Sequence, residues 1–484
     1  MNETEQLMKE PAHYYPQSME EFIGNPLLEA LLPLDDPALY PRLLLVQPPY
    51  KPDDRESPAA LRLFCLQRLS ELHIPTREDI MLLLSINRSL RWGYAGRNPM
   101  GLDVVREALH ERGTEMTEEL EKYLKSIIAP IYGFPVLGIS GVGKTTSVQN
   151  ALSLFPQVII HKSYRGKPFE KEQLVWLKVD CPGDGTPKGL CSAILRGIDE
   201  AMGTDYAQQI IRNRMSKDVL LVKVSQLVQS LYLGILVIDD IQNICSTKRT
   251  ISDELLSFMV SMANNLKIPV VMVGSPKILD LLQKEFQQAK RASGEGEIRM
   301  NLMPDNSTEW KRFIKVLWHY QYTNKRVNLT SKMEKTFYEE SVGNPFVAAT
   351  LYKLVQDDAI ISKNETFTSE DVKRVARDKM GITAKMRKDM LDGIDVELNR
   401  YKHLWSIGRM AETDQPKVSK TPPKTDEPYS QKMVQLSSKL EEAGIDMMRS
   451  RSYARQAIAA YPEEEDINVL FGYAMELQKA GGQK

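Results

Sequence analysis

Four residues of this sequence have the types and spacing to grip a phosphate. Gly138, Gly143, Lys144 and Thr145 satisfy G-x-x-x-x-G-K-[ST] inside the stretch GFPVLGISGVGKTT, residues 133–146. Glycines in such a pattern let successive backbone N–H groups curl around a β-phosphate, and the N-terminus of the helix that follows faces the same anion. Gly138, Ser140, Gly141, Val142, Gly143, Lys144, Thr145 and Thr146 are therefore the expected nucleotide-binding set. Lys144 is placed to reach the β- and γ-phosphates, and the Thr145 hydroxyl to ligate Mg²⁺. A glycine-rich surface turn would read similarly, but here an apolar strand (134–137) precedes the loop and a helical pattern (145–154) follows it. The chemistry expected is binding of a nucleoside triphosphate.

A second stretch, LGILVIDDIQ at 233–242, is an apolar β-branched run ending in two acids. Buried parallel strands read this way, and ligands gather at their C-terminal ends. Asp239 is expected to hold Mg²⁺ through its water shell and Asp240 to orient the attacking water. A third run, VVMVGSPK at 270–277, ends in a small polar residue. Ser275 is the candidate for a hydrogen bond to the γ-phosphate or water, although a Ser opening a Ser-Pro turn has the same appearance.

The elements that position these residues form an α/β core over 129–305. Strands are expected at 134–137, 158–160, 173–180, 234–238, 270–273 and 297–302, with helices at 145–154, 190–202, 218–231, 252–265 and 278–290. Alternation of this kind implies right-handed crossovers and a mostly parallel sheet. The order of phosphate loop and acidic strand is that of the additional-strand P-loop class. Residues 1–128 read as an all-helical extension. Residues 306–380 read as a helical lid, with helices at 309–320 (capped by Ser307), 331–342, 345–356 and 369–380. Beyond it come a charged helix at 386–407, a Pro/Lys/Thr linker at about 411–429 expected to be disordered, and a small helical appendage at 430–484.

Composition bounds the function. The chain has 484 residues and a formal net charge of −1, so no global field draws it to nucleic acid or membrane and any such contact must be local. Cys65, Cys181, Cys191 and Cys245 lack metal spacing and read as reduced thiols. The start MNETEQLMKEP lacks the basic and apolar regions of a signal peptide, and no apolar run approaches the ~20 residues of a membrane span. A cytoplasmic protein without membrane contact is expected.

GISGVGKTT, QLVWLKVDCPGDGTPKGLC (173–191), LVIDDIQN, the lid phrases WHYQYT and LYKLVQDDAI, and the N-terminal phrases GNPLLEALLP and RWGYAGRNP together resemble the TnsC/TniB-type AAA+ transposition ATPases over residues 20–380. The resemblance implies an AAA+ core and an ATP-dependent regulator of DNA transposition that forms a homo-oligomer, ring or filament, on double-stranded target DNA. It further implies coupling of a TniQ/TnsD-like target selector, or an RNA-guided effector, to a transposase, with hydrolysis driving disassembly.

The second acid of this class is usually Glu. Asp240 is one methylene shorter, which implies slow hydrolysis suited to a switch. An arginine supplied by the neighbouring subunit is also implied, with Arg291 the candidate and Lys290 second. The turn VGNPF (342–346) holds no lid arginine, so either Asn344 or Lys353 substitutes, or ADP and ATP are distinguished chiefly by the neighbouring subunit. DNA phosphates would be met by Arg165 and Lys167, by Thr186 and Lys188, or by Lys248 and Arg249, in each case against the reading of a solvated charge. Contacts of that kind carry no sequence preference and weaken with salt. The C-terminal helix and appendage would face the transposase. Alternatives are a helicase-loader or origin-recognition ATPase with the same core, or a signalling NTPase scaffold that binds no DNA.

Overall fold

A computed structural model describes residues 9–127, 133–211, 217–246, 268–276 and 296–381, isolated positions from 254 to 266, scattered positions from 435 to 458, and residues 466–482. The chain divides into two compact units, Met1–Val396 and Glu397–Lys484.

The described strands are β1 (Lys9–Pro11), β2 (Phe134–Gly138), β3 (Val158–Tyr164), β4 (Lys167–Leu174), β5 (Trp176–Asp180), β6 (Ile235–Asp239), β7 (Val270–Gly274) and β8 (Ile298–Met300). Five of them form the main sheet in the order β5-β6-β7-β2-β8, every neighbouring pair parallel. Strand β7 thus separates the loop-bearing β2 from the acid-ended β6, the additional-strand order expected of a P-loop AAA+ core. β6 and β7 are buried along their whole length, which is why both are continuous apolar runs. Their side chains alternate between faces. Leu236, Ile238 and Met272 join one core cluster with the helices Pro187–Met202 and Lys217–Ser230. Ile235, Val237, Val271 and Val273 join another with Lys144–Leu152 and the long helix Arg77–Ala95.

The expected single strand at 173–180 is two strands, and the expected strand at 158–160 lies outside the main sheet. β3 and β4 pair antiparallel in a separate three-stranded sheet of order β1-β3-β4. Their two-residue turn, Arg165 and Gly166, is left-handed at both positions (φ 48° and 73°), the geometry that matches the twist of a hairpin. At Val175 the chain passes from this sheet to the main one. No break in the apolar run QLVWL marks the crossing.

The N-terminal extension is not all-helical, because β1 pairs parallel with β3. It also serves two clients. Leu27, Leu31, Tyr40 and Leu90 pack with the core, whereas Leu66, Leu69 and Ile74 pack with the lid residues Trp310, Phe337 and Tyr352. Arg62, 3 % exposed, makes a two-pronged bond to Glu365 of the lid at 2.6 and 2.7 Å.

The lid helices Thr308–Leu317, Ser331–Ser341, Pro345–Ile361 and Ser369–Lys379 begin on side-chain caps from Ser307, Thr330, Asn344 and Thr368. In the C-terminal unit, Leu436, Leu440, Ala454, Ala457, Ile458, Leu470 and Ala474 form a small apolar cluster that includes the helix Ile467–Gly482. The expected helix at 252–265 lies largely, and that at 278–290 wholly, outside the described residues. The expected helix at 386–407 and the linker at 411–429 lie wholly outside them.

Candidate nucleotide site

The phosphate loop leaves β2 at Gly138 and enters the helix Lys144–Leu152 through Gly143. Gly141 and Gly143 hold φ of 81° and 99°, left-handed values that aim successive N–H groups inward and that side-chain-bearing residues rarely adopt. Lys144 donates to the Ile139 carbonyl at 2.9 Å, so its ammonium lies across the loop. Burial lowers the Lys144 pKa, opposed by the charges of Asp239 and Asp240. Thr145 and Thr146 are exposed at the helix start, as is Ser140 within the loop.

The acids stand at the end of β6. Asp239 is 2 % exposed; its Oδ2 lies 3.1 Å from the Lys178 ammonium, and its Oδ1 accepts the Asp240 N–H at 2.8 Å. Lys178 comes from β5, whose register sets Asp180 beside Asp239, and it also approaches Asp180 at 3.6 Å. Asp240 takes the left-handed conformation (φ 53°) and is exposed. Gln242 links it to the neighbouring strand: its Nε2 donates to Asp240 Oδ1 at 2.7 Å, and its Oε1 accepts the Ser275 N–H at 3.2 Å. The Ser275 hydroxyl is buried without a hydrogen-bond partner. Asp240 and Ser275 are thus brought together through one amide side chain.

The lid closes over the loop from the other side. Val342 and Gly343 turn left-handed (φ 55° and 70°), and a Cβ on Gly343 would stand 2.0 Å from the Met303 carbonyl. The turn delivers Asn344, fully buried, whose Nδ2 donates to the Ser140 carbonyl at 3.0 Å while its Oδ1 caps the helix Pro345–Ile361 at Val347. Of the two candidate substitutes for a lid arginine, Asn344 contacts the loop, and Lys353 donates to Gln67 at 2.9 Å.

A cleft of about 180 Å³ opens between loop, lid and extension, lined by Gly141, Gly143, Met300, Phe346, Lys353 and most of the residues between Leu69 and Asp79, among others. Within it, Asp79 Oδ1 and His73 Nε2 are buried and face each other at 3.4 Å. Burial works to raise the Asp79 pKa, but His73, Ser147 and Thr76 outweigh it and hold the carboxyl below its usual value.

The remaining candidates are placed as follows. Arg165 is bonded to Glu111, and to Tyr164 at 3.2 Å. Lys167 lies 3.4 Å from Glu107. The Thr186 hydroxyl caps Gly189 at 3.0 Å and donates to Asp184 at 2.9 Å, while Lys188 is exposed on the first turn of the helix it caps. Lys248, Arg249, Lys290 and Arg291 lie outside the described residues. Lys178, Gln242 and the wall at 69–79 escaped the sequence reading. A lysine two residues before the acid that ends β5 was the one available signal. Nothing local marks residues 69–79, which meet the loop only through tertiary packing.

Among the described residues no three or more His, Cys, Asp or Glu gather as a metal cluster, and no helix is long and apolar enough to cross a membrane. Residues 135–282 match the family model of an AAA domain. No curated protein matches the chain. Similar solved structures include the Aeropyrum pernix ORC1 protein in complex with DNA, at 15% identity and TM-score 0.34, covering 74% of this chain and 82% of that one. The Aeropyrum pernix ORC2 protein, as ADPNP–ADP complexes, is 11% identical with TM-score 0.34, covering 75% and 83%. A Walker-type ATPase of Pyrococcus abyssi is 11% identical with TM-score 0.32, covering 75% and 87%. The glycine cradle, the buried acid at the end of β6 and the family match together make residues 135–282 an AAA-type ATPase domain on a P-loop fold.

Proposed function

We propose that the protein is an ATP-driven switch that assembles as copies of itself on double-stranded DNA and couples a TniQ/TnsD-like target selector, RNA-guided or not, to a transposase. The observation that supports the switch is the Asn344–Ser140 bond. It ties the phosphate loop to the first turn of a lid helix, so occupation of the loop and position of the lid are one variable.

The residues present fit ATP and Mg²⁺. The left-handed glycines leave room for phosphate oxygens, and Thr145 and Asp239 supply the hard oxygen donors that Mg²⁺ prefers when most of its ligands are phosphate and water. When bound, Mg²⁺ would neutralise charge on the β- and γ-phosphates. Lys144 exchanges the Ile139 carbonyl for phosphate. Asp240, held by Gln242, orients water, and its short side chain keeps hydrolysis slow. Ser275 has a hydroxyl ready to accept a new partner. Arg291 from an adjacent copy stabilises the transferring phosphoryl group. On DNA, Lys188, Thr186, Arg165, Lys167, Lys248 and Arg249 face phosphates. Arg165 and Lys167 must first exchange Glu111 and Glu107 for them.

A second reading is an origin-recognition or helicase-loading ATPase, the class named by the ORC structures.

A mobility-shift assay on duplex DNA with a non-hydrolysable ATP analogue tests the proposal. Binding that requires the analogue, ignores sequence and weakens with salt is expected. Absence of binding at every salt concentration would leave a scaffold that does not use DNA.

A further inference from the structure

The cations of the β3–β4 hairpin stand in two different states. Lys162 and Lys171 are exposed on its strands, and among the described residues neither makes an ion pair. Arg165 and Lys167, at the turn, are both held by the helix Leu102–Glu111. Glu111 takes Arg165, while Lys167 lies 3.4 Å from Glu107 and 3.8 Å from Asp103. Asp103, Glu107 and Glu111 are four residues apart and so form one row along the helix. Val104, Val105, Ala108 and Leu109 of the same helix are buried, which fixes the way the row points. The three acidic side chains are 72 %, 59 % and 66 % exposed, so the packing of the helix does not depend on them. A small apolar cluster of Val104, Tyr164 and Phe169 backs the ion pairs. Pairs this exposed are individually weak, so a competing anion can undo them.

We propose that the row Asp103, Glu107 and Glu111 is an autoinhibitory latch, which occupies the tip of the β3–β4 hairpin in place of DNA phosphates and must be displaced before Arg165 and Lys167 engage them. This rests on the reading of the hairpin as a DNA contact and adds the regulation of that contact. The row presents a carboxylate about every 6 Å along the helix axis. One DNA strand presents a phosphate about every 3.4 Å. The denser charge prevails at close range, and Lys162 and Lys171 are free to make the first contact. Affinity for DNA is then reduced by the fraction of molecules in which the latch is closed.

Equilibrium binding of the full chain to a duplex, at low salt with a non-hydrolysable ATP analogue, tests this. The latch variant combines Asp103→Asn, Glu107→Gln and Glu111→Gln. A control combines Glu115→Gln, Glu118→Gln and Glu119→Gln, removing equal charge from exposed acids nearby that pair with neither cation. The latch variant should bind roughly tenfold more tightly than wild type, and the control within about threefold of it. Damage to the fold would weaken binding, so a gain is not explained by damage. Adding Arg165→Gln and Lys167→Gln to the latch variant should abolish the gain, because the cations it releases are gone.

Equal gains in the latch variant and the control overturn the latch and leave a general effect of charge. No gain in the latch variant, or a gain that survives the loss of Arg165 and Lys167, overturns it while DNA binding stands. If neither wild type nor any variant binds the duplex, the DNA reading falls and the latch falls with it.

Discussion

The Lys178 ammonium lies 3.1 Å from the Asp239 carboxylate, a buried acid at the end of β6. Each protects the other. Asp239 is 2 % exposed, and the Lys178 ammonium is its ion-pair partner. Removing one partner of a buried pair costs about 3–5 kcal/mol. Lys178→Met should therefore lower thermal stability sharply without ligand and much less with saturating Mg²⁺–ATP, when a divalent cation takes over the neutralisation. Melting curves with and without Mg²⁺–ATP check this; equal losses in both would show that Lys178 supports the fold and not the site.

Asn344 has two tasks that a substitution can separate. Asn344→Asp keeps the oxygen that caps Val347 but loses the N–H₂ that holds the Ser140 carbonyl. The lid helix should keep its cap, worth ~1 kcal/mol, while ATP affinity falls at least several-fold. Calorimetric titration beside a melting curve distinguishes the two effects.

Arg62 fixes the extension to the lid, and the pair titrates in a definite direction. Its hydrogen bonds hold the Glu365 carboxyl below its usual value. A carboxylate depressed in the folded state contributes stability above its unfolded value, about 4.3, and loses it as pH falls through the lower folded value. Arg62→Met should cost about 3–5 kcal/mol at neutral pH. The gap to wild type should narrow as pH falls through the folded value. Urea unfolding across that range measures it, and a gap independent of pH would contradict the assignment.

Asp240 is the shorter of the two acids that could serve at its position. Asp240→Glu should raise ATP turnover, and Gln242→Met, which releases Asp240 from Ser275, should lower it by up to roughly a hundredfold with stability near wild type. Steady-state phosphate release reads both. A Glu variant no faster than wild type removes the argument for built-in slowness.

Much of this was legible in the chain. The phosphate loop, the acid-ended strand, the P-loop fold class and the lid helices follow from local signals: glycine spacing, β-branched runs and capping residues such as Ser307. What was not legible depends on contacts far apart in sequence. The hairpin turn at Arg165–Gly166 reads as a basic loop, because its flanking strands mix charge with apolar residues and run straight into β5. Lys178 reads as the polar position of a strand until register sets it beside Asp239. His73 and Asp79 read as loop and helix start, and only the meeting of extension, loop and lid makes them a wall.

The central claim is that a triphosphate held by Lys144 drives assembly on DNA. The most direct measurement is the fraction of duplex DNA bound by wild type and by Lys144→Ala, with and without a non-hydrolysable ATP analogue at low salt. The account predicts analogue-dependent coating by wild type and none by the variant. Equal coating by both proteins, or coating by wild type that ignores the analogue, would contradict it.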